Sequence, residues 1–295
     1  MNLQLRYARD RVMLIGIVGL TLLVVVPLFL IIGYVIVNGI GGLNWNFFTQ
    51  ELGSPSRAML GRPTGLVAAI VGTIIIDLIA LAFALPFGIA SGIMMSEYPE
   101  HPFTPVSRIM VSTLNGMPAV LMGLMAYALV VKNTGGFSAL AGSVALAFVM
   151  TPIIARSTES VLRITPWSLR EVGLSLGLPR WKVTLSLVLP AARPGIVTGV
   201  LIAFARAAGE AAPLMLTSFG NNFLTFNVRS PMDTLPQRLY SLAISPYKEW
   251  HAMGWGGAII LLLFVMITFF VGRVVVDRME KRALGLQAMD KPKKN

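Results

Sequence analysis

Six stretches of the chain are almost continuously apolar: Val12–Val37, Leu66–Met94, Ile109–Val131, Phe137–Ala155, Gly195–Leu216 and Gly254–Gly272. A helix crossing about 30 Å of hydrocarbon needs roughly 20 such residues, and each run meets that length. None alternates with the period of two that marks a membrane β-strand. The pattern predicts an all-α, polytopic membrane protein with six transmembrane helices. The first run follows the basic stretch RYARDR, as a secretory signal would. It is longer than the roughly 7–15 residues of a signal core, and no A-x-A cleavage site follows, so it reads as an uncleaved first span.

The connections are unequal. Asn38–Gly65 and Thr217–Met253 are long and fall on one side of a six-span protein, and Arg156–Pro194 is long and falls on the other. Basic residues sort between the two sides. Arg6, Arg9, Arg11, Arg108, the six of Arg156–Arg193 and the seven from Arg273 onward make 17 on the side of the termini, against six opposite, with Arg206 completing the 24. The positive-inside rule places both termini in the cytoplasm. All five tryptophans, Trp45, Trp167, Trp181, Trp250 and Trp255, lie outside the apolar interiors or at their edges, as amphipathic rings near headgroups do.

Composition agrees. Only 13% of the residues are charged and mean hydropathy is +0.74, where soluble domains carry about 25% charge. The net charge of +11 is explained by topology, with no aromatic-rich soluble domain to read nucleic acid. The chain has no cysteine, which removes disulfides and thiolate metal sites. His101 and His251 are far apart and read as surface histidines in loops, and metal-ligand spacings such as HExxH are absent. No nucleophile–histidine–acid set is present, so no catalytic site is predicted. The lysine-rich end KPKKN, with Arg278, Lys281 and Arg282, reads as a solvated face near anionic lipid.

The long basic connection has internal punctuation. In TPWSLREVGLSLGLPRWKVTLSLVLP, Thr165 with Pro166 predicts a helix start, with a competing capping-box start at Ser168 and Glu171. Gly177 predicts the helix end and Pro179 the start of a second helix. Pro190 and Pro194 are expected to break the chain before the next span. By pattern alone this helix–turn–helix is a connector or, with Arg180, Trp181 and Lys182 exposed at the turn, a protein interface.

Its spacing resembles the EAA loop of ABC importer permeases, with Glu171, Gly173, Gly177, Leu187, Leu189 and Pro190 at the matching positions. The family has alanines after the glutamate, where this chain has Val172 and Gly173. In that family the loop docks into a groove on a cytoplasmic ATPase. This chain has no G-x-x-x-x-G-K-[ST] phosphate loop, so an ATPase would be a separate subunit. Two further stretches, Ser96–Leu124 and FARAAGEAAPLMLT (Phe204–Thr217), resemble phosphate importer permeases, and SPMDTLPQRLYSLAISP (Ser230–Pro246) resembles the outer loop of their PstA-type subunit, so that together they point to the PstA type.

The resemblance runs from about Gly65 to Val276 and implies the type I ABC importer (MetI-like) fold, in a bacterial cytoplasmic (inner) membrane. It also implies a PstC-type permease as heterodimer partner, two copies of a PstB-type ATPase and a PstS-type phosphate-binding protein. By the same resemblance this chain is expected to bind no cofactor, ATP with Mg being used by the partner ATPase. The expected organisation is an N-terminal helix and outer loop over 1–65, a permease domain over 66–276 with the coupling loop at 156–194, and a basic tail over 277–295.

Within FARAAGEAAP, Arg206 lies 12 residues past Pro194, about 18 Å along a helix and close to the bilayer midplane. Glu210 follows at i+4, on the same helical face, among small residues that let helices approach closely. A charge at that depth costs about 2.5 kcal/mol or more. The pair is a structural fastener between helices or, following the resemblance, the phosphate path. The resemblance adds Arg156 as a second cation at the cytoplasmic mouth, beside its plain reading as a positive-inside anchor. Asp77, in the second run, is expected to bond to a neighbouring helix or to serve the path. Pro86, Pro118, Pro152 and Pro213 are expected to kink or break their helices.

Overall fold

The computed structural model describes residues 3–289. In chain order the helices are α1 Leu3–Gly39, α2 Trp45–Thr49, α3 Pro55–Met59, α4 Val67–Glu97, α5 Phe103–Gly116, α6 Ala119–Thr134, α7 Ala139–Ile164, α8 Ser168–Ser175, α9 Arg180–Ala208, α10 Ala212–Met215, α11 Leu235–Ala243 and α12 Lys248–Met289. Helices α1, α4, α7, α9 and α12 are each long and apolar enough to cross a membrane. The third apolar run is not one straight helix. Its two halves, α5 and α6, meet at 114°. Pro118 causes the break: it stands in an extended conformation just before α6, and Met117 before it is also extended. The described residues therefore make a multi-pass membrane protein with five continuous helices long enough to span, and a sixth span if the bent pair α5–α6 crosses as one.

Helix α7 is the centre of the bundle, and glycines decide what packs on it. Gly88 and Gly92 of α4, spaced as G-x-x-x-G, meet Ile154 and Thr158 of α7; a Cβ on Gly88 would stand 2.7 Å from Ile154 and one on Gly92 2.5 Å from Thr158. Gly195 and Gly199 of α9 repeat the spacing against Val161 and Ser157 on another side of α7. In lipid, helices associate through such close backbone approach and dispersion contact, because the surrounding chains are as apolar as leucine. Ile76, Ala80, Ala84, Leu146, Met150, Ile154, Ala203 and Leu214 fill the shared core. Gly92→Leu is expected to overpack this seam and cost about 1–3 kcal/mol, read as a lower unfolding temperature in detergent than the wild type.

One end of the bundle is closed by the segment between α10 and α11. The first amides of α7 have no partner within the helix, and this segment supplies them. Ser138, Ala139 and Leu140 donate to the carbonyls of Thr217, Ser230 and Val228, and the Ser138 hydroxyl accepts from Ala141. Helix α1 stands apart: its apolar window has no buried residue, and it touches α12 near its end, where Tyr34 and Trp255 pack edge to face at 5.2 Å.

Several expectations are corrected. Pro190 and Pro194 do not break the chain, because α9 runs continuously from Arg180 to Ala208. A π-helical turn at Thr184–Val188 shifts the hydrogen-bond register just before Pro190, so its missing amide interrupts nothing. The fifth apolar run ends as a helix at Ala208, not Leu216, with Gly209–Ala211 non-helical before α10. Pro86 and Pro152 sit inside continuous helices, whereas Pro118 and Pro213 stand at breaks. His251 lies in the first turns of α12, with Nε2 2.6 Å from the Ser245 carbonyl, not in a loop. Helix α12 continues to Met289, and the KPKKN end lies outside the described residues.

Candidate functional site

Arg206 lies in the last turn of α9. Val149, Pro152 and Ile153 of α7, Leu114 and Asn115 of α5, and Met122 of α6 line a small cleft against it. Those α7 residues are midway along a helix of 26 residues, so Arg206 stands at mid-height in the bundle, beside the break between α5 and α6. Its side chain is 62% exposed, the only interior-depth arginine among the described residues of the apolar runs. The negative end of the α9 dipole favours a cation there.

Glu210 is not on the same helical face. Helix α9 stops two residues before it, with Gly209 and Glu210 turning back to the carbonyls of Arg206 and Ala207. The pair remains in reach, Arg206 Nε to Glu210 Oε1 being 3.8 Å. That is longer than a hydrogen bond. The guanidinium fork is therefore near a carboxylate yet keeps its donors for another acceptor, and a fork of this geometry suits two oxygens of one oxyanion.

Arg156 is not at the end of its span, because α7 continues two turns further to Ile164. It lies one turn beyond Pro152 on the same face, donating to Ser112 Oγ of α5 at 2.5 Å and to Glu159 Oε2 at 3.2 Å. Glu159 is buried and also meets Arg108 of α5 at 3.0 Å and Arg163 at 2.8 Å. Sequence reading missed this cluster, although R-x-x-E-x-x-x-R over Arg156–Arg163 puts all three charges on one helical face.

The connection after α7 folds into two helices at a sharp turn. Neither expected N-cap forms. Thr165 bonds back to the Val161 carbonyl, and α8 begins at Ser168 behind an uncapped Trp167. The other end follows expectation. Gly177 has φ +76°, and the amides of Gly177 and Leu178 return to the carbonyls of Leu174 and Gly173, a glycine-terminated helix end. Pro179 immediately precedes α9. Gly173 faces Val183 and Leu187, and a Cβ there would stand 2.7 Å and 2.9 Å from them. Glu171 is exposed, as are Ile164, Trp167, Val172, Leu174, Leu176 and Trp181. Exposed apolar residues in that number on a basic connection are the kind of surface that meets a partner or lipid. Leu187, Leu189 and Pro190 lie within or just after the π-helical turn.

A second buried ion pair, also missed, holds this face to the bundle. Arg170 Nε and Nη2 grip Glu97 Oε2 and Oε1 at 2.9 and 2.6 Å, and Nη1 and Nη2 donate to the carbonyls of Thr165 and Leu162 at 3.0 and 2.9 Å. The guanidinium lies 5.2 Å from the Trp167 ring centre. Asp77 is buried in α4, and its Oδ2 finds no partner among the described residues, so the expected bond to a neighbouring helix is not made by that oxygen. At the opposite end Asp233 Oδ2 receives Arg238 Nε at 2.6 Å, and Arg238 also donates to Asn222 at 2.7 Å. Burial pushes the Asp233 carboxyl above its ordinary value, and Arg238 opposes that shift.

Comparison with known proteins agrees with this architecture. A family model described as the binding-protein-dependent transport system inner membrane component matches residues 84–281. The phosphate transport system permease protein PstA of Xylella fastidiosa (strain 9a5c) is 37% identical over 243 residues, covering 82% of this chain and 83% of that protein. The protein of the same name from Yersinia pestis is 36% identical over 241 residues, 81% of this chain and 80% of its own length. Among solved structures, the MetNI methionine ABC transporter in an inward-facing conformation matches with a TM-score of 0.58 at 18% identity, over 72% of this chain and 93% of that one. A solved amino acid ABC transporter matches with a TM-score of 0.52 at 16% identity, over 73% of this chain and 92% of that one. At these identities the two structures speak to the fold alone, which is that of ABC importer permeases. The chain belongs to the family of binding-protein-dependent transport system inner membrane components, and among them to the PstA-type permeases.

Proposed function

We propose that this chain is the permease subunit of an ATP-driven inorganic phosphate importer, forming half of the translocation path and coupling it to cytoplasmic ATPase subunits. The observation that carries the reading is Arg206, an exposed guanidinium at mid-height of an apolar bundle, 3.8 Å from a glutamate that does not use up its donors. A doubly or singly charged oxyanion crossing such a bundle loses its hydration, and a fixed fork of N–H donors replaces part of it. Glu210 gives the arginine a counter-charge when the site is empty and keeps anion binding weak enough for release. Arg156 is the next cation, one turn beyond Pro152 on the face of α7 that lines the Arg206 cleft.

The face around Glu171, Gly173 and Gly177, with the exposed apolar residues of α8 and Trp181, supports docking to a separate ATPase that binds ATP and Mg. On this reading the ATP and Mg belong to that partner, and this chain needs no cofactor of its own. The remaining partners are a PstC-type permease across a heterodimer interface, two PstB-type ATPase copies and a PstS-type phosphate-binding protein on the outer side. The distribution of Lys and Arg supports cytoplasmic termini in a bacterial inner membrane.

The test is radiolabelled phosphate and sulfate uptake in cells that lack their own phosphate importer and carry this chain with its partner subunits. ATP-dependent phosphate uptake is expected, and sulfate uptake without phosphate uptake would overturn the reading. The docking role has its own test. Gly173→Asp forces a side chain into Val183 and Leu187, and is expected to lower ATPase co-purification about tenfold or more while the two permeases stay together.

A further inference from the structure

The Arg206 cleft does not end at Arg156. On α7 the residues Pro152, Arg156, Glu159 and Arg163 follow one face, and on α5 Asn115, Ser112 and Arg108 do the same. Contacts confirm that the faces meet. Asn115 and Pro152 share the Arg206 cleft, Ser112 bonds to Arg156, and Arg108 reaches Glu159. At 1.5 Å per residue, Arg156 lies about 6 Å and Arg163 about 16 Å along α7 from Pro152. The charges therefore form a ladder from mid-height to the coupling-loop end.

The ladder is unbalanced. Glu159 carries one negative charge at 5% exposure and draws in three guanidiniums. The cluster is left with two positive charges in excess. The arginine side chains are 39%, 39% and 56% exposed for Arg108, Arg156 and Arg163, so their outward donors are accessible. One carboxylate cannot saturate three forks of five donors each. A purely structural cluster that ties two helices needs one arginine per carboxylate, and the two further like charges oppose it.

Resting on the phosphate reading above, we propose that Arg108, Arg156 and Arg163, gathered by Glu159, form a second phosphate-holding station between Arg206 and the cytoplasm. Glu159 competes with the substrate for the same donors. Phosphate arriving from Arg206 displaces part of the carboxylate's hold on the arginines, and the returning carboxylate releases it. Movement between two weak stations lets an anion leave a narrow path, where one tight site would trap it.

The experiment uses the whole importer in nanodiscs and in proteoliposomes. Binding of radiolabelled phosphate to the nucleotide-free complex is measured without the binding protein, and ATP-driven uptake is measured separately. Arg206→Gln is expected to block uptake yet retain weak phosphate binding. Adding Arg108→Gln and Arg163→Gln is expected to weaken that residual binding about tenfold, the loss of one or two charge-assisted bonds. Glu159→Gln removes the competitor and is expected to tighten binding about threefold or more while slowing uptake. Loss of all binding in Arg206→Gln, or unchanged binding in the added double variant, overturns the second station. If the double variant fails to assemble, Arg163→Gln alone, the most exposed of the three, decides. Weakened binding supports the station and wild-type binding and uptake overturn it. Failure of the phosphate reading itself is seen in the unaltered complex, as ATP-driven uptake of another oxyanion in place of phosphate.

Discussion

Replacing Arg206 by glutamine is expected to lower phosphate uptake about a hundredfold or more, the effect of removing two charge-assisted hydrogen bonds from an anion away from bulk water. The variant should still assemble, because the side chain is mostly exposed and its contact with Glu210 is 3.8 Å, too long to fasten the fold. Arg206→Lys keeps the charge and loses the fork, so an intermediate rate is expected. Uptake is compared with the amount of assembled complex in the same membranes. Equal uptake by wild type and Arg206→Gln would move the substrate path elsewhere.

Arg170→Ala is expected to uncouple the importer. Arg170 makes four hydrogen bonds, two to Glu97 at the end of α4 and two to carbonyls at the end of α7. It is the joint through which α8 is held against both helices. Removing one partner of a buried, bidentate pair leaves the other charge unpaired and costs about 3–5 kcal/mol. ATP hydrolysis should persist with uptake reduced about tenfold or more, and the thermal midpoint should fall. Reversing both charges, Glu97→Arg with Arg170→Glu, should recover part of what either single reversal loses, and a double-mutant cycle reads that coupling. Additive effects across the cycle would mean that the two residues act independently, and the joint would have to be sought elsewhere on α8.

The two predictions rest on residues of different legibility. Arg206 was visible in the chain because a charge inside an apolar run is costly wherever the run folds. Arg170 and Glu97 were not, because their separation of 73 positions is closed only when α4 and α7 pack through Gly88 and Gly92. Glu159 was half visible: its i−3 and i+4 arginines lie in the local sequence, while Arg108 comes from α5 across the helix seam.

By itself the sequence determined the membrane class, the apolar segments and the turn at Gly177, because hydrophobic transfer and left-handed backbone are properties of single residues and short windows. It also determined that a cation stands deep in the fifth run. Only the tertiary structure decided where helices stop and which charges meet. Pro190 and Pro194 are tolerated within one continuous helix, Pro190 behind a π-helical turn, Pro118 is not and bends the third span by 114°, and α9 ends before Glu210. Those outcomes depend on hydrogen-bond register and on the close approach of helices through glycine, which are set by neighbours distant in the chain.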